Sequence, residues 1–171
     1  MAGKSIAPAP AGSPQCPPQD LLKRRLSRMQ GLCARREYCS ADIRRKLLLD
    51  RSNPLTSEQA EKVLEALRKE KYLDDARYAG AFARDKSSLS GWGATKIRYA
   101  LRAKGIADED IASALERIDG EKSDEKLRSL LSARARTLSA DPHARQKLLR
   151  YGLSRGYDYD TISEVLASLL Q

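Results

Sequence analysis

Residues 71–118, KYLDDARYAGAFARDKSSLSGWGATKIRYALRAKGIADEDIASALERI, decide the fold, because three helical patterns and both kinds of helix punctuation follow one another there without a gap. Asp74 stands where a side-chain oxygen accepts from the orphan amides of a first turn, with Leu73 and Tyr78 at the staple positions around it. The spacing predicts a helix running to about Ser88. The stretch from Ser87 to Gly93 holds three serines and two glycines and breaks that helix. Ala94 to Lys104 resumes the pattern with Ile97 and Leu101 on one face. Gly105 offers the left-handed residue that a helix end favours, Ile106 can fold back onto Leu101, and a third helix starts at Asp108.

The chain on either side reads as imperfect copies of this trio. The pattern Ala60, Val63, Leu64, Leu67 recurs at Ile111, Ala114, Leu115, Ile118 and again at Ile162, Val165, Leu166, Leu169, at a constant interval of 51 residues. In the later two copies Ile97 maps to Leu148, Lys104 to Arg155, Gly105 to Gly156 and Ile106 to Tyr157; the first copy is longer, since Ile43 precedes Ile97 by 54. A matched glycine stop followed by a matched apolar residue marks tandem repeats. The expected fold is therefore all-α, an elongated, curved array of three tandem three-helix repeats over residues 20–70, 71–119 and 120–171.

The other elements follow the same rules. A helix is expected from Asp20 to about Glu37, with Leu22, Leu26, Met29 and Cys33 on one stripe and Lys23, Arg24, Arg25 and Arg28 largely off it. The next, from about Ser40 to Leu49, turns Ile43 and Leu47 inward, and Thr56 with Gln59 forms a capping box before the third. Glu121 to Leu138 carries Leu127, Leu130, Leu131 and Leu138 inward. Asp141-Pro142 predicts a cap before a proline at the first helical position. Gly152, inside the helix that follows, should weaken it by about 1 kcal/mol relative to alanine. Asp158 caps the last helix, with Tyr157 and Ile162 as staple. Residues 1–19, rich in proline and alanine, cannot bury apolar surface and are expected to form a disordered tail.

Composition bounds the function. Only 5% of the 171 residues are aromatic, which favours thin, aliphatic helix-on-helix packing. Thirty-two Lys and Arg against 23 Asp and Glu leave +9, a balance that points to a polyanionic partner. The charge is segregated: first and second helices are positive and third helices mostly negative. If the units stack, one side carries a positive stripe. No apolar run approaches the ~20 residues of a membrane span, and the N-terminus lacks an apolar signal region, so a cytoplasmic protein with no membrane partner is expected.

Catalytic patterns do not assemble. His143 is the one histidine and follows a helix-opening proline among basic residues, a surface setting. Gly91-Trp92-Gly93 lacks the lysine and preceding strand of a phosphate loop. Asp74 and Asp75 point about 100° apart on a helix, as capping residues do. Cys33 and Cys39 have no second pair or histidine for a zinc site and read as buried or half-buried thiols. No catalytic, cofactor or metal residue is expected. Trp92 is read as a loop anchor in the core, with an exposed stacking platform as the alternative. Tyr72, Tyr78 and Tyr99 are read as packing residues.

The block Tyr72-Leu73-Asp74-Asp75-Ala76-Arg77-Tyr78-Ala79 resembles the most recognisable motif of the RecX family, bacterial modulators of the RecA recombinase. Lys96-Ile97-Arg98 with Leu101-Arg102-Ala103-Lys104-Gly105-Ile106 is similar to its second block, and Arg35-Arg36-Glu37 leading to Arg44-Arg45-Lys46-Leu47 to its first. The resemblance covers about residues 20–170. Three positions depart from it. Cys39 stands where the family commonly has a serine, which leaves Ser40 as the expected cap of the second helix. Ala100 replaces a residue usually acidic or polar, and Gly152 one usually apolar. The resemblance implies a cytoplasmic, non-enzymatic monomer that binds the RecA filament in its helical groove and hinders filament growth, ATP hydrolysis and strand exchange. It also implies contact with single- or double-stranded DNA, directly or through RecA. The expected electrostatic contact set is Arg44, Arg45, Lys46, Arg98, Arg102, Lys104, Lys147, Arg150 and Arg155. A stand-alone basic helical protein that binds nucleic acid without a protein partner is the alternative.

Overall fold

The computed structural model describes residues 18–138 and 141–169, and over these the chain forms nine α-helices and no strand. They are α1 (Pro18–Cys33), α2 (Ser40–Leu48), α3 (Ser57–Lys69), α4 (Asp75–Ser88), α5 (Ala94–Arg102), α6 (Asp108–Glu116), α7 (Gly120–Arg136), α8 (Ala144–Arg155) and α9 (Tyr159–Leu169). The expected N-terminal tail lies, as far as residue 17, outside the described residues. The helices gather into tandem trios, each around its own small aliphatic core. Met29, Ile43, Leu47, Leu64 and Leu67 fill the first. Ala79, Ala83, Ile97, Leu101 and Ile111 fill the second, and Leu127, Leu131, Leu148, Ile162 and Leu166 the third. A trio this thin cannot cover its apolar face alone, so each leans on its neighbour.

The punctuation works as the sequence implies. Thr56 and Gln59 exchange both bonds of the capping box at the start of α3. Asp74, Asp119 and Asp158 each accept from a first-turn amide, those of Arg77, Lys122 and Thr161. Gly105 and Gly156 take left-handed φ values of 72° and 90°. Behind them the Ile106 amide closes onto the Leu101 carbonyl at 3.2 Å and the Tyr157 amide onto Gly152 at 3.3 Å, one bonding scheme at the repeat interval.

Several expectations fail for tertiary reasons. Helix α1 stops at Cys33 instead of Glu37, and the chain it releases delivers Tyr38 to the first core and Cys39 to the second. Arg25 points inward, only 9% exposed. Its guanidinium donates to Asp50 at 2.6 Å and to the Asn53 carbonyl at 2.9 Å. Hydrogen bonds from Ser52, then from Arg25, hold the Asp50 carboxyl well below the usual range. Helix α8 begins at Ala144, so Pro142 sits in the turn before it, where the Asp141 carboxylate accepts from the His143 amide. Leu73 and Tyr78 do not staple one helix; Leu73 belongs to the first core and Tyr78 to the second. Gly152 has a packing reason, since a Cβ there would lie 2.8 Å from Ile162, and its absence lets α8 and α9 close up.

The trios join at the ends of their second helices. The Gly93 amide donates to the Arg155 carbonyl at 2.9 Å and the Thr95 amide to that of Gly156 at 3.1 Å. Orphan donors of α5 thus meet orphan acceptors of α8. At the other junction the Ser40 amide, opening α2, donates to Asp75 at 2.7 Å, and Lys104 beyond the end of α5 reaches Asp42 at 2.7 Å. Ser40 does not cap α2: the N-cap is Cys39, whose side chain accepts no first-turn amide, and the Ser40 hydroxyl accepts from Arg68. Helices α8, α5 and α2 therefore abut end to end.

The two matched glycines separate conformational strain from contact. A Cβ at Gly105 would meet nothing, whereas one at Gly156 would lie 2.5 Å from the Lys96 backbone nitrogen. Gly105→Ala should cost about 1 kcal/mol for the left-handed backbone alone, and Gly156→Ala about 1–3 kcal/mol more. Urea denaturation of both variants checks this; equal losses would remove the close approach from the account.

Candidate interaction surface

The end-to-end row is also where positive charge collects. Helix α5 carries Lys96, Arg98 and Arg102, and α8 carries Arg145, Lys147, Arg150 and Arg155, neither with a carboxylate; α2 sets Arg44, Arg45 and Lys46 against Asp42 alone. Helices α6 and α9 hold acidic side chains and no cation, while α3 mixes both signs, so the acidic character of the third helices belongs to the second and third trios.

The nine expected contact residues all lie on or just past these second helices, yet they do two different jobs. Lys104 and Arg155, matched by the repeat, are half-buried junction residues. Lys104 joins Asp42 and sits 5.6 Å from the centre of the Tyr78 ring. Arg155 donates to the Ser90 carbonyl at 3.0 Å and the Tyr151 hydroxyl at 2.8 Å. Arg44 pairs with Glu61, Arg45 with Asp42, Arg102 with Asp108 and Lys147 with Asp141. Such solvated pairs contribute little and exchange partners readily. Arg98 and Arg150 are exposed and have no ion-pair partner among the described residues, and Lys46 lies over the Tyr38 ring at 5.5 Å.

The motif block is a joint. Leu73 enters the first core, Asp74 caps α4, Asp75 takes the Ser40 amide, Arg77 donates to Glu37 at 2.7 Å and Tyr78 enters the second core. Tyr72 at 37% and Tyr99 at 69% are exposed, against the packing roles expected of them. Trp92 is half-buried: Phe82 meets it edge-on at 6.3 Å, and Lys86 and Lys96 stand about 5 Å from its ring. Of the first trio's carboxylates that tie it to the second, Glu37 was named only within a motif block and Asp42 not at all; the one signal for Asp42 is that it is the sole acid on α2.

Burial works against the charge on Asp42, yet hydrogen bonds from Lys104 and the Cys39 thiol, with the charges of Lys104 and Arg45, outweigh it and hold the carboxyl below its ordinary range. Burial likewise opposes the charge on Lys104, but its bonds to Asp42 and Tyr78 raise its pKa. Burial pushes the Cys39 thiol up. Among the described residues no three His, Cys, Asp or Glu side chains converge as metal ligands, and no helix is long and apolar enough to cross a membrane.

Comparison with known proteins places this geometry. Residues 74–115 match the second three-helix domain of RecX, and residues 121–166 the third. The regulatory protein RecX of Prosthecochloris aestuarii is 33% identical over 86% of this chain and 95% of its own length. That of Clostridium botulinum (strain Alaska E43 / Type E3) is 37% identical over 61% of this chain and 50% of its own. The crystal structure of RecX from Lactobacillus salivarius has the same fold, with a TM-score of 0.76 at 22% identity over 88% of this chain and 97% of that one.

Because the Asp42 carboxyl is more acidic folded than unfolded, its contribution is complete above the ordinary carboxylate pKa, roughly 3.9. It is lost as pH falls through the lower folded value. Thermal melts between about pH 6 and pH 3 should show the chain losing stability more steeply than Asp42→Asn, which is weaker at neutral pH by about 1–3 kcal/mol because Lys104 loses its partner. Parallel curves for the two proteins would count against the pair.

Proposed function

Since the chain belongs to the RecX family of regulatory proteins, we propose that it regulates the RecA recombinase by lying in the helical groove of the RecA filament. There it hinders filament growth, ATP hydrolysis and strand exchange. The observation that carries this reading is the abutment of α2, α5 and α8, which sets Lys46, Arg98 and Arg150 on one succession of helices. A row of cations on tandem units follows a polyanionic path by repeated weak contacts, none of which need be strong alone. The units, taken as residues 20–70, 71–119 and 120–171, act as one monomer in the cytoplasm by contact and without turnover. DNA is met through the filament, with the cations of the row close to its phosphates.

The alternative, a stand-alone binder of nucleic acid, draws on the same cations. It predicts tight binding to bare DNA with log K falling by about 0.9 per phosphate neutralised for each tenfold rise in salt. The filament reading predicts weak binding to bare DNA and tight binding to a RecA-coated strand.

The decisive measurement is RecA-dependent ATP hydrolysis on single-stranded DNA with increasing amounts of this protein. Hydrolysis should fall, and Arg98→Glu with Arg150→Glu should raise the half-inhibiting concentration by about tenfold, or 1.4 kcal/mol. Neither arginine has an ion-pair partner among the described residues, so the melting temperature should not move. Unchanged hydrolysis at stoichiometric excess would overturn the reading.

A further inference from the structure

A groove of about 520 Å³ runs along α4 between the end of α6 and the start of α7. It does not include the second-helix row. Gly80, Ala81 and Ala114, half-buried or buried, form its floor, and the exposed Ala76, Arg84 and Arg117 line its edge. Both arginines are exposed and neither has an ion-pair partner among the described residues.

Two features of the groove have no explanation within the chain. Gly80 lies in the middle of α4, where it costs about 1 kcal/mol relative to alanine, and a Cβ there would meet nothing within 4 Å. Gly93, Gly152 and Gly156, by contrast, each sit where a Cβ would collide with a neighbour. Gly31 is as open as Gly80, but it falls in the last turn of α1. The second feature is Ser87. It is only 5% exposed and lines the groove. Its hydroxyl makes no hydrogen bond among the described residues, while that of Ser88 beside it donates to the Arg84 carbonyl. The Ser87 hydroxyl therefore opens onto the groove, where the backbone of an incoming chain can take it in place of water.

We propose that this groove is a docking site for an acidic α-helix of a protein partner, laid against α4 with its backbone close to Gly80 and its carboxylates on Arg84 and Arg117. A helix floor without side chains beyond Cβ admits another helix at the short end of the 8–10 Å interaxial range. Ser87 then gives its hydroxyl to the incoming helix. The chemistry favours protein over nucleic acid, because the floor is apolar and Asp119 lies among the lining residues. It also disfavours residues 1–17 of this chain, which contain no carboxylate side chain. The site stands independently of RecA and is tested without it.

The test is amide chemical-shift mapping of the full chain with a roughly 20-residue helical peptide rich in glutamate and alanine, long enough to hold its helix in water. The amides of Ala76, Gly80, Ala81, Arg84 and Ser87 should shift together. A Cβ at Gly80 meets nothing within 4 Å, so Gly80→Leu should keep the spectrum and leave the melting temperature no lower, since leucine is the better helix former, while weakening the peptide at least tenfold. Arg84→Glu with Arg117→Glu should do the same, and a peptide with lysine in place of glutamate should shift nothing. The proposal is overturned if the acidic peptide moves only amides around Arg98 and Arg150, or leaves the groove silent at millimolar concentration. It is also overturned if Gly80→Leu binds as well as the unmodified chain, if a single-stranded oligonucleotide shifts the groove where the peptide does not, or if deleting residues 1–17 shifts it by itself.

Discussion

A helix leaves its first amides and last carbonyls without partners, and the structure depends on where those groups go. Helices α2 and α5 are nine residues long, too short to persist in water by themselves. Each begins against the next trio. The Ser40 amide is taken by Asp75, and the Gly93 and Thr95 amides by the last carbonyls of α8. Satisfying these groups across the joint turns separate trios into an array, and it brings the second helices into one succession. The glycines at 93 and 156 are needed because backbone must touch backbone for this to happen.

Electrostatics follows from that arrangement. Placing three basic helices end to end brings like charges together, which opposes folding, and the fold offsets it at the seams. Lys104 and Arg155 sit just beyond or at the C-terminal ends of α5 and α8, where the partial negative charge of the last carbonyls favours a cation. Asp42 adds a full negative charge at the first seam. The cations between the seams, Arg98 and Arg150, are exposed and have no ion-pair partner among the described residues, so they remain available to a polyanion. The division of labour among chemically similar residues is thus positional.

The repeat was legible because helical periodicity, carboxylate caps and glycine stops are local signals, and Thr56, Asp74, Gly105, Asp158 and Ile162 behave as their neighbours in sequence dictate. What was not legible depends on residues distant in the chain. Arg25 looks like a surface arginine until Asp50 and Asn53 come round to meet it. Leu73 and Tyr78 have staple spacing but lie on either side of a joint. The basic face of each second helix could be read from sequence, but not which cations are consumed in pairs, because Glu61, Asp108 and Asp141 are supplied from outside the second helices. The groove on α4 was silent for another reason: alanine, glycine and serine contribute almost nothing to a hydrophobic pattern.

The two joints use different chemistry, and their responses to conditions differ accordingly. The first is held largely by charged side chains, Lys104 with Asp42, Arg77 with Glu37, and Asp75 on an amide. Salt screens the exposed members of that set, and acid discharges its carboxylates. The second rests on amide-to-carbonyl bonds between glycine-lined segments, where an added Cβ would come within 2.3 Å of a carbonyl oxygen, and Arg155 and Lys96 add bonds to the carbonyls of Ser90 and Ser154. Close backbone contact of this kind is insensitive to salt and tolerates little displacement. The bonds of the charged joint run through side chains that can turn, which makes it the more compliant of the two.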